Sequence, residues 1–138
     1  LVGALLDAMQ AGRADFTITF RRLADAAATP GELDGVRELF DDAEGFDDWA
    51  VSWRERLARD PSSAADRQAM MRGANPAFIP RNHQVEAALA AAVTKDDFAP
   101  FERLLAVLAR PFDDQPDAAA FALPAPPSDQ PYRTFCGT

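Results

Sequence analysis

The side chains with the greatest chemical reach in this sequence are few and widely spaced. Cys136 is the only cysteine, and it stands in the closing tetrapeptide Phe135-Cys136-Gly137-Thr138. Thiols on chain ends are usually exposed rather than packed as small hydrophobes. An exposed thiol can reach a second sulfur, but the sequence contains none, so redox pairing needs a partner outside these residues or in another molecule. His83 is the only histidine. Nucleophilic triads and zinc sites both require partners at suitable spacing. A Cys136/His83 pair has no orienting group at a recognisable distance, so His83 reads as an ordinary surface or core imidazole.

Two further constellations carry charge. Asp41, Asp42, Glu44, Asp47 and Asp48 form an acidic cluster, but a calcium loop needs alternating oxygen ligands around a mid-loop glycine and a closing bidentate Glu. Gly45 is followed by Phe46 and no Glu stands at the closing distance, which leaves a solvated loop with Asp47 as a helix cap. Arg81-Asn82 follows Pro80 at the start of a helical pattern. An Arg there can hold a carboxylate or phosphate, aided by the helix N-terminus. Equally, Asn82 can be the cap and Arg81 a bridge to an acidic residue of a neighbouring helix. Arg21-Arg22 read as solvated or ion-paired, and Phe40, Phe46, Trp49 and Trp53 as core. No glycine-rich phosphate loop and no kinase catalytic triplet occurs. By local chemistry, the sequence holds no recognisable active site and no metal or cofactor set.

Apolar spacing near 3.6 residues defines the elements that position these groups, and strand-like alternation is absent. Leu1, Leu5, Leu6 and Met9 make a first helical stripe that stops near Gly12. Asp15 caps a second helix carrying Phe16, Phe20, Leu23 and Ala27, ending before Pro30-Gly31. Leu33, Val36, Leu39 and Phe40 give a short third helix. Asp47 caps a fourth that bears Trp49, Trp53 and Leu57. Ser63 caps a fifth, closed by Gly73. Asn75 to Pro80 is an extended connector. Helix resumes through Val85, Ala88, Leu89, Ala92 and Val93. Asp97 caps a last helix with Phe98, Phe101, Leu104, Leu105 and Leu108 facing inward, stopped by Pro111. The expected fold is all-α over 1–110, followed by an extended Pro-rich tail over 111–138. Phe112, Phe121, Leu123, Tyr132 and Phe135 would anchor that tail and deliver Cys136 to a definite place.

Composition narrows the function classes. A formal net charge of -8, with 13 Arg and one Lys spread among the acids, argues against a nucleic-acid binder. No apolar run approaches the ~20 residues of a membrane span, and no signal peptide is recognisable. A single cysteine favours an intracellular, cytoplasmic protein. The chain opens at Leu1 as if within a helix, the expectation being a segment of a longer protein with its own C-terminus.

Three stretches together resemble a family. Asp15-Phe16-Thr17-Ile18-Thr19-Phe20-Arg21-Arg22-Leu23 matches a D-Y/F-T-x-x-F-R-x-L helix. Asn75-Pro76-Ala77-Phe78-Ile79-Pro80-Arg81-Asn82 matches an N-P-x-x-x-x-R-N turn. Arg110-Pro111-Phe112 and the closing Cys136-Gly137-Thr138 match a Pro-rich end with Cys or selenocysteine near the last residue. The order and spacing are similar to the C-terminal part of the selenoprotein O (YdiU) family. The resemblance implies a bacterial enzyme with a protein-kinase-like fold that transfers AMP from ATP to protein hydroxyls with magnesium. It places the nucleotide and metal residues upstream, so no catalytic, cofactor or metal residue is carried onto this chain. Only Cys136 is carried over, as half of a redox-sensitive disulfide with a cysteine of the kinase-like core.

On that resemblance the segment is a helical support for the kinase-like core, its principal partner, and binds neither ATP nor Mg2+ alone. Cut from a larger lobe, it would expose an apolar face and could self-associate. Two other classes remain: an autonomous helical module that binds a partner through Arg81 and the aromatic tail, and a redox protein acting through Cys136 in trans.

Overall fold

The computed structural model describes residues 1–126, and Cys136, Pro127, Pro131, Tyr132 and Phe135 lie outside the described residues. All regular structure among the described residues is helical. The chain divides into two compact units, one from Leu1 to Ala77 and one beginning at Phe78.

The first unit contains α1 (Val2–Ala11), α2 (Phe16–Ala26), α3 (Leu33–Arg37), α4 (Glu44–Ala58) and α5 (Ala64–Ala74). Its core joins Leu5 and Met9 of α1, Leu23 of α2 and Val36 of α3 to Phe46, Trp49 and Trp53 of α4. The aromatic rings form a ladder. Phe40 to Phe46, Phe46 to Trp49 and Trp49 to Trp53 have centroid separations of 4.7, 5.6 and 5.5 Å. Such spacing adds to the stabilisation from apolar burial. α1 and α4 pack in ordinary contact beside Gly45, where an added Cβ would lie 3.4 Å from Ala8 Cβ.

Side-chain caps fix two of the helix starts. Asp15 Oδ1 accepts from Ile18 N at 2.9 Å, and Ser63 Oγ accepts from Asp66 N at 3.1 Å, both where expected. Asp47 is not a cap. α4 starts three residues earlier, at Glu44. Asp47 there forms a two-point ion pair with Arg37 of α3, Nε to Oδ1 at 2.8 Å and Nη2 to Oδ2 at 2.9 Å. Gly73 does not close α5 either, for the helix runs on to Ala74 and Asn75 N donates to Met71 O at 3.0 Å.

α5 docks by polar contacts together with Met71, which packs against the edge of the core. None of its residues is fully buried. Asp25 of α2 instead pairs with Arg72 (2.6 Å) and accepts from Gln68 Nε2 (3.0 Å). Arg21 Nη1 donates to the carbonyls of Arg72 and Asn75 at 3.2 and 3.1 Å, putting a cation at the C-terminal end of α5 where the helix dipole favours it.

The second unit contains α6 (Asn82–Lys95), α7 (Ala99–Leu108), a 3-10 turn at Pro116–Ala118 and α8 (Ala119–Ala122). Asp96 ends α6 in the left-handed conformation (φ 54°), a role that Asp tolerates. Asp97 Oδ1 accepts from Ala99 N at 3.1 Å, although Phe98 occupies the cap position of α7. Leu104 and Val107 are buried, whereas Phe98, Phe101 and Leu105 are exposed rather than inward. The supposed extended tail is helical over 116–122. Pro116 fits there because the first residue of a helical turn needs no N–H.

Two measurements test these assignments. A Cβ on Gly12 would meet Asp42 O at 2.6 Å and Phe40 Cδ1 at 2.7 Å, while one on Gly73 meets nothing within 4 Å. Gly12→Ala should therefore lower stability by about 1–3 kcal/mol, and Gly73→Ala should raise it by ~0.5–1 kcal/mol. Denaturant unfolding followed by far-ultraviolet circular dichroism reads both, and a neutral Gly12→Ala would refute the close approach.

Hydrogen bonding from Arg37 holds the Asp47 carboxyl below its ordinary range. A depressed folded value stabilises the fold above the unfolded value and is lost as pH falls through the folded one. The stability gap between the protein and Asp47→Asn should therefore be full near neutrality and close below about pH 4. Thermal melts across pH 2–7 test this, and a gap that widens on acidification would exclude the pair as its cause.

Candidate functional site

The expected anion position lies at the start of α6. Arg81, not Asn82, is the N-cap, because its carbonyl accepts from Gln84 N (2.9 Å) and Val85 N (3.0 Å) while its own backbone is extended. Asn82 is the first helical residue, and no side-chain cap bond is made by Arg81. A shallow cleft of about 360 Å³ opens there, lined by Ile79, Pro80, Arg81, Asn82, His83 and Ala125. Arg81 Nη2 donates to Ala122 O at 2.9 Å, and Gln84 Nε2 donates to Ala120 O at 3.4 Å. Arg81 thus ties α8 to the start of α6 by binding a backbone carbonyl. This is a structural contact within the chain.

His83 is half-buried in the same cleft. Cys136 lies outside the described residues. The acidic cluster lines an open depression of about 410 Å³ beside Arg37. Asp47 is engaged by Arg37, and Asp42 Oδ1 accepts from Glu44 N at 3.1 Å. Among the described residues, no three His, Cys, Asp or Glu side chains are grouped so as to hold a metal ion.

The densest polar network is one that the sequence reading treated as solvated or ion-paired surface. Arg21, Arg22 and Asp25 stand on one region of α2. Arg22 Nη1 bonds the Gly35 carbonyl, while Arg21 and Asp25 hold α5. The signal lay in the i, i+4 spacing of Arg21 and Asp25, which gives them a common face. Its chemistry is positional, since guanidinium groups fork onto carbonyls and a carboxylate to join helices. The donors at this network and at Arg81 are directed at the chain's own groups.

Comparison with known proteins gives a consistent result. The family model described as "Protein adenylyltransferase SelO" matches residues 1–109. The chain is 58% identical over its whole length to "Protein nucleotidyltransferase YdiU" of Bradyrhizobium sp. (strain ORS 278), and covers 28% of that protein. It is 59% identical over 96% of its length to the protein of that name in Rhodopseudomonas palustris (strain BisB5), covering 27%. With the one in Methylorubrum populi the identity is 55% over the full chain, covering 29%. The chain thus spans little more than a quarter of the length of these bacterial relatives and corresponds to their C-terminal part. No helix among the described residues is long and apolar enough to cross a membrane. With its match over residues 1–109, the chain belongs to the protein adenylyltransferase SelO family.

Proposed function

We propose that these residues are the C-terminal structural and redox-regulatory part of a bacterial cytoplasmic enzyme that transfers AMP from ATP to Ser, Thr or Tyr hydroxyls of proteins. The observation that carries the proposal is 58% identity over the entire chain to a relative named for nucleotidyl transfer to protein. Transfer of a nucleotidyl group needs cations and preorganised donors around the phosphates. A net charge of -8 and arginines committed to backbone carbonyls do not fit that task. The nucleotide, magnesium and protein substrate are therefore assigned to the preceding kinase-like core, which is also the principal partner of this segment.

Within that division of labour, Cys136 pairs with a cysteine of the core. Both thiols lose their protons, and the electron pair passes to an oxidant such as glutathione disulfide, which leaves as two reduced thiols. This joins the end of the chain to the catalytic part and makes activity responsive to redox poise.

The test combines transfer and redox state. With ATP labelled at the α-phosphorus, the full-length protein should label protein substrates in magnesium, and residues 1–138 alone should not. Transfer by this segment at a rate comparable with the full-length protein would overturn the assignment. Non-reducing mass spectrometry after treatment with glutathione disulfide should find Cys136 crosslinked within the full-length chain. A Cys136→Ser variant identical in oxidised mobility and in redox response would remove the regulatory role.

A further inference from the structure

α7 carries more apolar surface than its own unit covers. A surface helix ordinarily needs an apolar stripe of about 100°. Leu104 and Val107, roughly 60° apart on that stripe, are its covered part, being 5% and 1% exposed. With about 100° between successive residues, Phe101, Leu105 and Phe98 extend the stripe by roughly 60–120° around the axis from Leu104. Phe98 and Leu105 remain 53% and 52% exposed.

α6 continues the same patch. The connection from Lys95 to Ala99 is short, and a turn of that length joins antiparallel helices. Leu89 and Val93 lie roughly 100° and 140° around α6 from buried Ala88, in the same rotational sense as the α7 set. In an antiparallel pair, the same sense on both helices leads to the same side. Leu89 is 48% and Val93 84% exposed.

The opposite side of the hairpin is closed. Gln84 and Arg103, displaced in the other sense, donate to the carbonyls of Ala120 (3.4 Å) and Asp117 (3.2 Å). The 116–122 segment therefore covers one side, and among the described residues the apolar side stays exposed.

We propose that the face formed by Leu89, Val93, Phe98, Phe101 and Leu105 is the docking surface of this unit for an apolar surface of the rest of the polypeptide. This rests on the proposal that the residues belong to a longer enzyme and names the surface through which they join it. The occupant follows from length and mass action. The chain accounts for 28% of its relatives, and a surface on the same polypeptide is present at high effective concentration. It therefore outcompetes a second copy for the patch. Contiguous apolar faces on soluble proteins commonly mark interaction sites.

Hydroxyl-radical footprinting of the unaltered full-length protein, read by mass spectrometry, tests the face without substitution. Oxidation at Phe98, Phe101 and Leu105 should be at least tenfold slower than in residues 1–138 alone at concentrations where that segment is monomeric. In a second arm, Val93→Cys and Leu105→Cys in the full-length protein should react with maleimide at least tenfold more slowly than Glu102→Cys and Ala106→Cys. Equal rates across these positions would overturn the proposal. So would protection that vanishes when light scattering shows a dimer dissociating, because the occupant would then be a second copy. AMP transfer by the same preparation separates the two ideas: active protein with an unprotected face sinks the docking surface and spares the proposed function.

Discussion

The indole of Trp49 can be buried because its N–H donates to the Leu1 carbonyl at 3.0 Å. That bond leaves the rest of the ring free to act as a hydrocarbon. Trp49 lies between Phe46 and Trp53 in the ladder, so it fixes which face of α4 points inward. The same bond holds the start of α1 against α4. Leu5, Ala8 and Met9 can then fill the space beside the rings. Removing the hydrogen bond would leave a buried donor without its partner, a cost larger than the net worth of the bond itself.

The two sides of the first unit are built by different physics. α1 and α4 meet through apolar surface, whose contribution grows with area and tolerates small shifts. α5 meets α2 through forked guanidinium and carboxylate contacts, which add modest net energy but demand particular distances and angles. Asp25 and Arg72 are each about a third exposed, which limits the worth of the pair as a stabilising force. Its importance lies in setting the register of α5 along α2.

The helical class, the caps at Asp15 and Ser63 and the core aromatics were legible because each is encoded by neighbouring residues. Asp47 was misassigned because adjacent acids offered several caps, while its partner Arg37 lies ten residues away. Asn82 looked like a cap by type, but the chain places Arg81 in the extended conformation that a cap requires. The helical turn at 116–122 was hidden by Pro116 and the flanking prolines Pro111 and Pro124. On α7 the apolar period was recognised correctly, but period alone does not tell how much of a stripe the available chain can cover. At the candidate site, Arg81 was found by type and position, whereas its carbonyl partner Ala122 is set by tertiary folding and leaves no mark in local sequence.

Both tryptophans of the chain stand on α4, one turn apart and stacked at 5.5 Å. The second unit has none among its residues. Intrinsic indole emission from this chain is consequently a local gauge. It senses the packing of the first unit and is nearly blind to melting of the α6–α7 hairpin. A single smooth fluorescence transition would therefore not establish that the two units unfold together. Joint unfolding has to be read with a probe that sees backbone helix in both.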